Sequence, residues 1–167
     1  MNNFDENYEK LAQMVRDIKF VMLTTLKPDG SLHSRPMISL QLDPKKFTGS
    51  LWFFSQKNSL KNHEIENDQH VNLAYSDTNK HHYISISGRA FISDDKTMME
   101  NLWTDDLKTW FPKGLSDQNI SLLKIQVEAA EIWDSPPGKV IQILNFAKTK
   151  LTGRATRPST ERPEIRH

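Results

Sequence analysis

The run Phe53-Phe54-Ser55-Gln56-Lys57-Asn58-Ser59-Leu60-Lys61 carries the densest chemistry of this chain. A short buried strand ends there in a polar turn, and a helix opens near Asn58 or Ser59. A helix start presents unpaired N–H groups and partial positive charge. With the Ser59 hydroxyl and the ammonium groups of Lys57 and Lys61, that start would suit a phosphate dianion. The same residues also make an ordinary helix cap flanked by two solvated lysines. The segment by itself leaves both readings open. A second candidate is Arg35, on the polar parity of a strand with Ser39 and Gln41. Its planar fork suits an anionic group, although a lone surface charge is equally consistent. The third is aromatic: Trp103, Trp110, Phe111 and Trp133, near Pro112 and Gly114. Core packing accounts for most of these, and a planar ligand offers another use for one or two.

Other chemistries find little support. The histidines are His33, His63, His70, His81, His82 and His167, and no pair has helical metal-ligand spacing around a glutamate. His81 and His82 are adjacent, so on a strand they would point to opposite faces. No metal site is expected. The absence of cysteine excludes disulfides, zinc–thiolate centres and thiol nucleophiles. There is no G-x-S-x-G, Walker or G-x-G-x-x-G sequence. The pairs Asp94-Asp95 and Asp105-Asp106 fall at helix starts, where they complement the helix dipole.

The elements that must position these residues can be read in order. Phe4, Tyr8, Leu11, Val15 and Ile18 form one face of a helix over 4–18. Phe20 to Leu26 is a strand, Pro28-Asp29-Gly30 a turn, and residues 31–43 a second strand completing a hairpin. In that strand Leu32, Pro36, Ile38, Leu40 and Leu42 share one parity, and His33, Arg35, Met37, Ser39 and Gln41 the other. Pro36 places it at an edge or bulge. A loop over 43–50 precedes the strand Leu51 to Ser55 and the helix Lys57 to Asn67. Strands follow at Val71 to Asp77 and Tyr83 to Ser93, where Gly88 marks a bulge or a close approach. Asp94 caps a helix through about Trp103, and Asp105 to Phe111 adds a turn or two. Ile120 to Trp133 is a long strand. Lys139 to Thr152 reads as an amphipathic helix stopped by Gly153. Six strands joined mostly by hairpins argue for an antiparallel sheet curled into a small barrel.

The 167 residues suit one domain over 1–153 followed by a tail over 154–167. Composition is that of a globular chain, 37% apolar and 26% charged. No apolar run approaches a membrane span, and the polar, acidic N-terminus argues against a secretory signal. A cytoplasmic location is the expectation. Of the 22 basic and 21 acidic residues, six and two lie in 148–167, a local +4. The remaining 16 and 19 give the body −3. A basic tail on a slightly acidic body does not resemble a nucleic-acid-binding face. No specific nucleic-acid or membrane partner is expected.

Several stretches together resemble the flavin-binding split-barrel proteins related to pyridoxamine 5′-phosphate oxidase, and among them the general stress protein 26 family. They are LTTLKPDGSLHSRPM, LWFFSQKNSLKNHEI, YISISGRAFISDDK, WTDDLKTWFPKG and LLKIQVEAAEIWDSPPG. The resemblance implies a six-stranded antiparallel split barrel that forms a homodimer, with FMN held in grooves between the subunits. By the same resemblance, Arg35, Pro36, Met37 and Ile38 run along the flavin, and Phe54 and Ser55 match an aromatic–hydroxyl pair. Ser59, Leu60 and Lys61 match the residues around the phosphate, to which the Lys57 charge adds. Tyr83 falls where the oxidase has a glutamine near the ring. Trp133 resembles a tryptophan that reaches the partner's flavin, while Trp110 and Phe111 match a stretch that covers the ring. The oxidase carries Arg-x-His-Asp-Arg after its tryptophan; this chain reads DSPPGKVIQILNF there. Oxidation of pyridoxamine phosphate is therefore not expected. The resemblance implies an FMN-dependent oxidoreductase acting on a small substrate that the sequence does not identify. A module that stores or senses flavin without turnover is the alternative, since no general base is evident.

Overall fold

The computed structural model describes residues 3–134 and 139–143. Helix α1 (Asn3–Val15) leads into strands β1 (Phe20–Leu26) and β2 (Leu32–Ile38). Strand β3 (Ser50–Gln56), helix α2 (Leu60–Asn67) and strands β4 (His70–Asp77) and β5 (His82–Ser93) follow. Helix α3 (Lys96–Leu102) precedes the long β6 (Ile120–Asp134) and the short β7 (Lys139–Ile143). Asp95, not Asp94, caps α3, its carboxylate accepting from the Met98 N–H at 3.0 Å. The stretch after α3 is a 3₁₀ turn over Asp105–Thr109. His81 lies in a turn with φ of 53°, and only His82 enters the strand.

The main sheet runs β2-β1-β4-β5-β6-β3, antiparallel throughout. It curls around a core in which Leu23, Leu73, Ile86, Leu123, Ile125 and Ile132 are fully buried. Each such side chain contributes about 1.5–3 kcal/mol through burial. Leu11 and Val15 of α1 close part of this core. Strands β2 and β3 end the hydrogen-bonded path, so the barrel is split between them. A second apolar cluster of Phe54, Met99, Leu107, Ile120 and Leu122 lies under α3 and the 3₁₀ turn.

Two features correct or sharpen the sequence reading. Lys139–Ile143 is a strand rather than the start of a helix, pairing Ala130↔Ile143 through Asp134↔Lys139. Strand β3 covers β6 only up to Gln126, which leaves the same edge of β6 open beyond it. Val140, Ile141 and Ile143 are β-branched and suit that open ladder better than helical spacing. The rest of the expected helix, and the expected tail over 154–167, lie outside the described residues. The Gly88 reading holds: the β5–β6 register shifts between Ser87 and Gly88. A Cβ at Gly88 would stand 2.3 Å from the Gln126 carbonyl oxygen.

The alternation in β2 is inverted relative to the usual apolar-in, polar-out rule. Leu32 and Pro36 are exposed, whereas Met37 is buried and His33 and Arg35 are half-buried. The register explains it, because His33, Arg35 and Met37 stand opposite Thr25, Leu23 and Val21, the buried parity of β1. No helix of the described residues is long and apolar enough to cross a membrane.

Candidate functional site

A hollow of about 310 Å³ spans the split. One wall is Pro36, Met37 and Ile38 of β2, the other Phe54, Ser55 and Gln56 of β3. Lys61 enters from α2, while Leu107, Trp110 and Phe111 close it from the segment after α3. Phe20 adds an apolar edge and meets Trp110 edge-on at 6.1 Å between ring centroids. The Lys19 ammonium lies 5.6 Å from the Trp110 ring centroid and 5.9 Å from that of Phe20. Behind the hollow, Phe54 packs edge-on against Trp103 at 5.3 Å.

Helix α2 braces the split. Ser59 is its N-cap residue, yet the Ser59 side chain makes no capping hydrogen bond. Its hydroxyl lies 3.5 Å from that of Ser55, its one side-chain contact among the described residues. Asn62, fully buried, ties the helix to the β3 side: Ser55 donates to its carbonyl oxygen at 2.9 Å, and its amide donates to Ser121 at 3.3 Å. Glu64 ties the helix to the β2 side. Its carboxylate accepts from Thr25 Oγ1 at 2.5 Å and from Arg35 at 2.6 Å, with His33 Nδ1 at 3.0 Å. Arg35 also donates to Thr25 Oγ1 at 2.6 Å. Burial pushes the Glu64 carboxyl upward, but the Thr25, His33 and Arg35 hydrogen bonds and the Arg35 charge outweigh it. The carboxyl ends at about 2.

Lys61 differs from the other lysines of this region. It is half-buried at the hollow, and its pKa is lowered, first by burial and then by the neighbouring Arg35 charge. Among the described residues it forms no ion pair, whereas Lys57 pairs with Asp94 at 3.3 Å. A desolvated cation beside a second cation is costly unless an anion joins them.

The structure thus brings Pro36, Met37, Ile38, Phe54, Ser55, Lys61, Trp110 and Phe111 together. Ser59 borders them through Ser55, and Arg35 through the charge it imposes on Lys61. Leu60 is 71% exposed. Lys57 lines a separate hollow with Asp94, Lys96 and Glu100. Tyr83 and Trp133 are cross-strand neighbours on β5 and β6, both exposed and outside this lining. Phe20, Gln56, Leu107 and Glu64 were not singled out from sequence. Glu64 had a legible signal: it follows Lys61 by three residues, which places both on one face of α2. Among the described residues no group of three or more His, Asp or Glu converges as metal ligands.

A family model described as pyridoxamine 5′-phosphate oxidase like matches residues 6–157. Protein bli-3 of Neurospora crassa is 23% identical over 159 residues, which cover 90% of this chain and 75% of that protein. A Clostridium acetobutylicum protein related to general stress protein 26 superposes with a TM-score of 0.68 at 20% identity. That match covers 83% of this chain and 96% of the other, and it is a likeness of fold. The general stress FMN/FAD binding protein of Xanthomonas citri superposes with a TM-score of 0.66 at 28% identity, covering 81% of this chain and 94% of its own.

Proposed function

The chain belongs to the pyridoxamine 5′-phosphate oxidase-like family, and from that premise we propose that it is a flavoprotein binding FMN across the split. The observation that carries this reading is the Lys61 ammonium, without an ion-pair partner among the described residues, at a hollow lined otherwise by Ser55, Gln56 and mostly apolar side chains. FMN has that division of chemistry: a phosphate carrying up to two negative charges, and a broad, largely apolar ring. Lys61 and the Ser59 hydroxyl, held only by a long 3.5 Å contact to Ser55, suit the phosphate, beside the N–H groups at the start of α2. Phe54, Met37, Ile38, Trp110 and Phe111 suit the ring. Ser55 serves differently, because its proton is given to Asn62 and its oxygen is left to accept. When bound, FMN supplies redox chemistry that no side chain here possesses. The X. citri protein's flavin binding supports the same reading.

The hollow lies at the small end of ligand sites, which span roughly 300–1,000 Å³. One chain therefore embraces only part of such a ligand, and we take the functional unit to be a homodimer. The exposed apolar side chains of the outer sheet face support that arrangement: Phe20, Met22, Leu32, Tyr83 and Trp133. Trp133 and Tyr83 would then reach the flavin of the second copy. The reaction proposed is oxidoreduction of a small substrate other than pyridoxamine phosphate, in the cytoplasm.

A second reading, flavin storage or sensing without turnover, is favoured by one observation. No carboxylate or imidazole lines the hollow among the described residues. The experiment is to purify the protein, record its visible spectrum, and titrate the apoprotein with FMN. A yellow protein, or saturable FMN binding, is expected. A colourless protein that ignores added FMN overturns the proposal. Stopped-flow reduction by NADH or NADPH, then reoxidation by an acceptor, separates the enzyme from the inert module.

A further inference from the structure

We propose that Glu64 is a specificity-determining residue of this site: by pairing with Arg35 it holds the phosphate end at one net cation, Lys61, and so limits the preference for a phosphorylated ligand over its neutral counterpart. This rests on the FMN reading above.

Three observations carry it. The Glu64 side chain is 9% exposed and meets the Arg35 guanidinium at 2.6 Å, so water screens their pairing poorly. Arg35 is in turn close enough to Lys61 to destabilise its ammonium. Lys61 and Glu64 leave the same helix on the same face, three residues apart. His33 aside, the local charges are therefore Arg35 and Lys61 against Glu64. Thr25 holds both members of the Arg35–Glu64 pair. A carboxylate in that position is unusual for an anion site, since it opposes the ligand it borders. It also makes two adjacent cations tolerable before the ligand arrives, because it spends one of them.

The sign of its effect separates charge from structure. Glu64→Gln keeps the shape and one acceptor but removes the charge. Arg35 then adds to Lys61, and FMN affinity rises. Glu64 lies within the first few residues of the phosphate-facing helix, where one charge at the effective dielectric of a protein surface is worth about tenfold. Riboflavin, lacking the phosphate, is insensitive to that change. A purely structural Glu64 predicts losses for both ligands.

The experiment is titration of apoprotein with FMN and with riboflavin at pH 8 and low salt, for the wild type, Glu64→Gln and Glu64→Asp. Expected is a ratio of FMN to riboflavin affinity about tenfold higher in the Gln variant and close to wild type in the Asp variant, which keeps the charge. An unchanged or lowered ratio in Glu64→Gln overturns the inference. Should that variant fail to fold, Arg35→Gln is compared with Arg35→Gln/Glu64→Gln. The single change leaves Glu64 opposing Lys61 and lowers the ratio about tenfold. The double change removes both charges and recovers most of that loss. A double variant no better than the single one overturns the inference. If wild type binds neither flavin, the FMN reading itself falls. If wild type binds FMN and the ratios stay flat, only the role of Glu64 falls.

Discussion

Ser55 and Asn62 stand seven residues apart, both buried, with the Ser55 hydroxyl donating to the Asn62 side-chain carbonyl at 2.9 Å. This bond joins the last buried residue of β3 to the first turn of α2 and orients the polar side of the hollow. Asn62→Ala leaves Ser55 and Ser121 without their buried partner. Such a loss costs about 1–3 kcal/mol. The expected result is a lower urea midpoint together with weakened FMN binding, because Ser59 and Lys61 ride on the same helix. An unchanged midpoint would show that water replaces the amide at no cost.

Lys61→Ala removes the one lysine that faces the hollow without an ion-pair partner among the described residues. A hydrogen bond to a charged group contributes about 1.5–3 kcal/mol, so FMN affinity should fall roughly ten- to a hundredfold. Riboflavin affinity should change little. Because burial and Arg35 lower the Lys61 pKa, the ammonium is lost at a lower pH than an ordinary lysine would lose it. FMN affinity should therefore decline as alkaline pH is approached, and the Ala variant should lack that decline. Isothermal titration with both ligands across pH checks each part. Equal losses for both ligands would place the phosphate elsewhere.

Glu64 also couples the fold to pH. Its folded carboxyl sits at about 2, below the ordinary 4.5. A depressed carboxyl contributes stability that is complete above the unfolded value and is lost as pH falls toward the folded one. The contribution is on the order of 3 kcal/mol and should vanish between about pH 4.5 and 2. Urea unfolding over that range should show a steeper loss in wild type than in Glu64→Gln. Parallel curves for the two proteins would mean that the Thr25–Arg35–Glu64 ring contributes nothing to acid stability.

Gly88→Ala should destabilise through backbone contact alone. The added Cβ would meet the Gln126 carbonyl oxygen at 2.3 Å, at the bulge where β5 and β6 change register. Overpacking of this kind costs about 1–3 kcal/mol, a fall in melting temperature of roughly 2–12 °C for a chain of this size. A melting temperature within one degree of wild type would show that the bulge shifts without cost.

Light scattering tests the proposed dimer. Holoprotein is expected at twice the 19.4 kDa chain mass. Trp133→Ala should weaken flavin binding several-fold if the ring reaches the second copy's site. Removal of residues 154–167 should leave FMN affinity unchanged. A monomeric holoprotein would remove Trp133 and Tyr83 from the site, since both lie outside the hollow of their own chain.

Local chemistry made much of this protein legible from its sequence. Pro28-Asp29-Gly30 specified the first hairpin: Gly30 takes φ of 83° and Asp29 accepts from the Ser31 N–H at 2.9 Å. Alternating runs and short stretches of apolar, β-branched and aromatic residues located six strands, and the missing side chain of Gly88 announced the bulge. The break after Phe54-Ser55 placed a helix start beside a strand end. Those signals reside within a few residues of one another, and backbone sterics act at that range. Tertiary structure decided what depends on partners distant in the chain. It turned the polar parity of β2 inward, because Glu64, 29 residues beyond Arg35, supplies the opposite charge. It drew Lys57 away to Asp94 and left Lys61 without an ion-pair partner among the described residues, although both are lysines at one helix start. It made a strand of Lys139–Ile143, because the edge of β6 beyond Gln126 was open. Pairing energies between side chains, and open ladders between strands, depend on which surfaces meet. A linear pattern records each residue's own preference and not the identity of its neighbour in space.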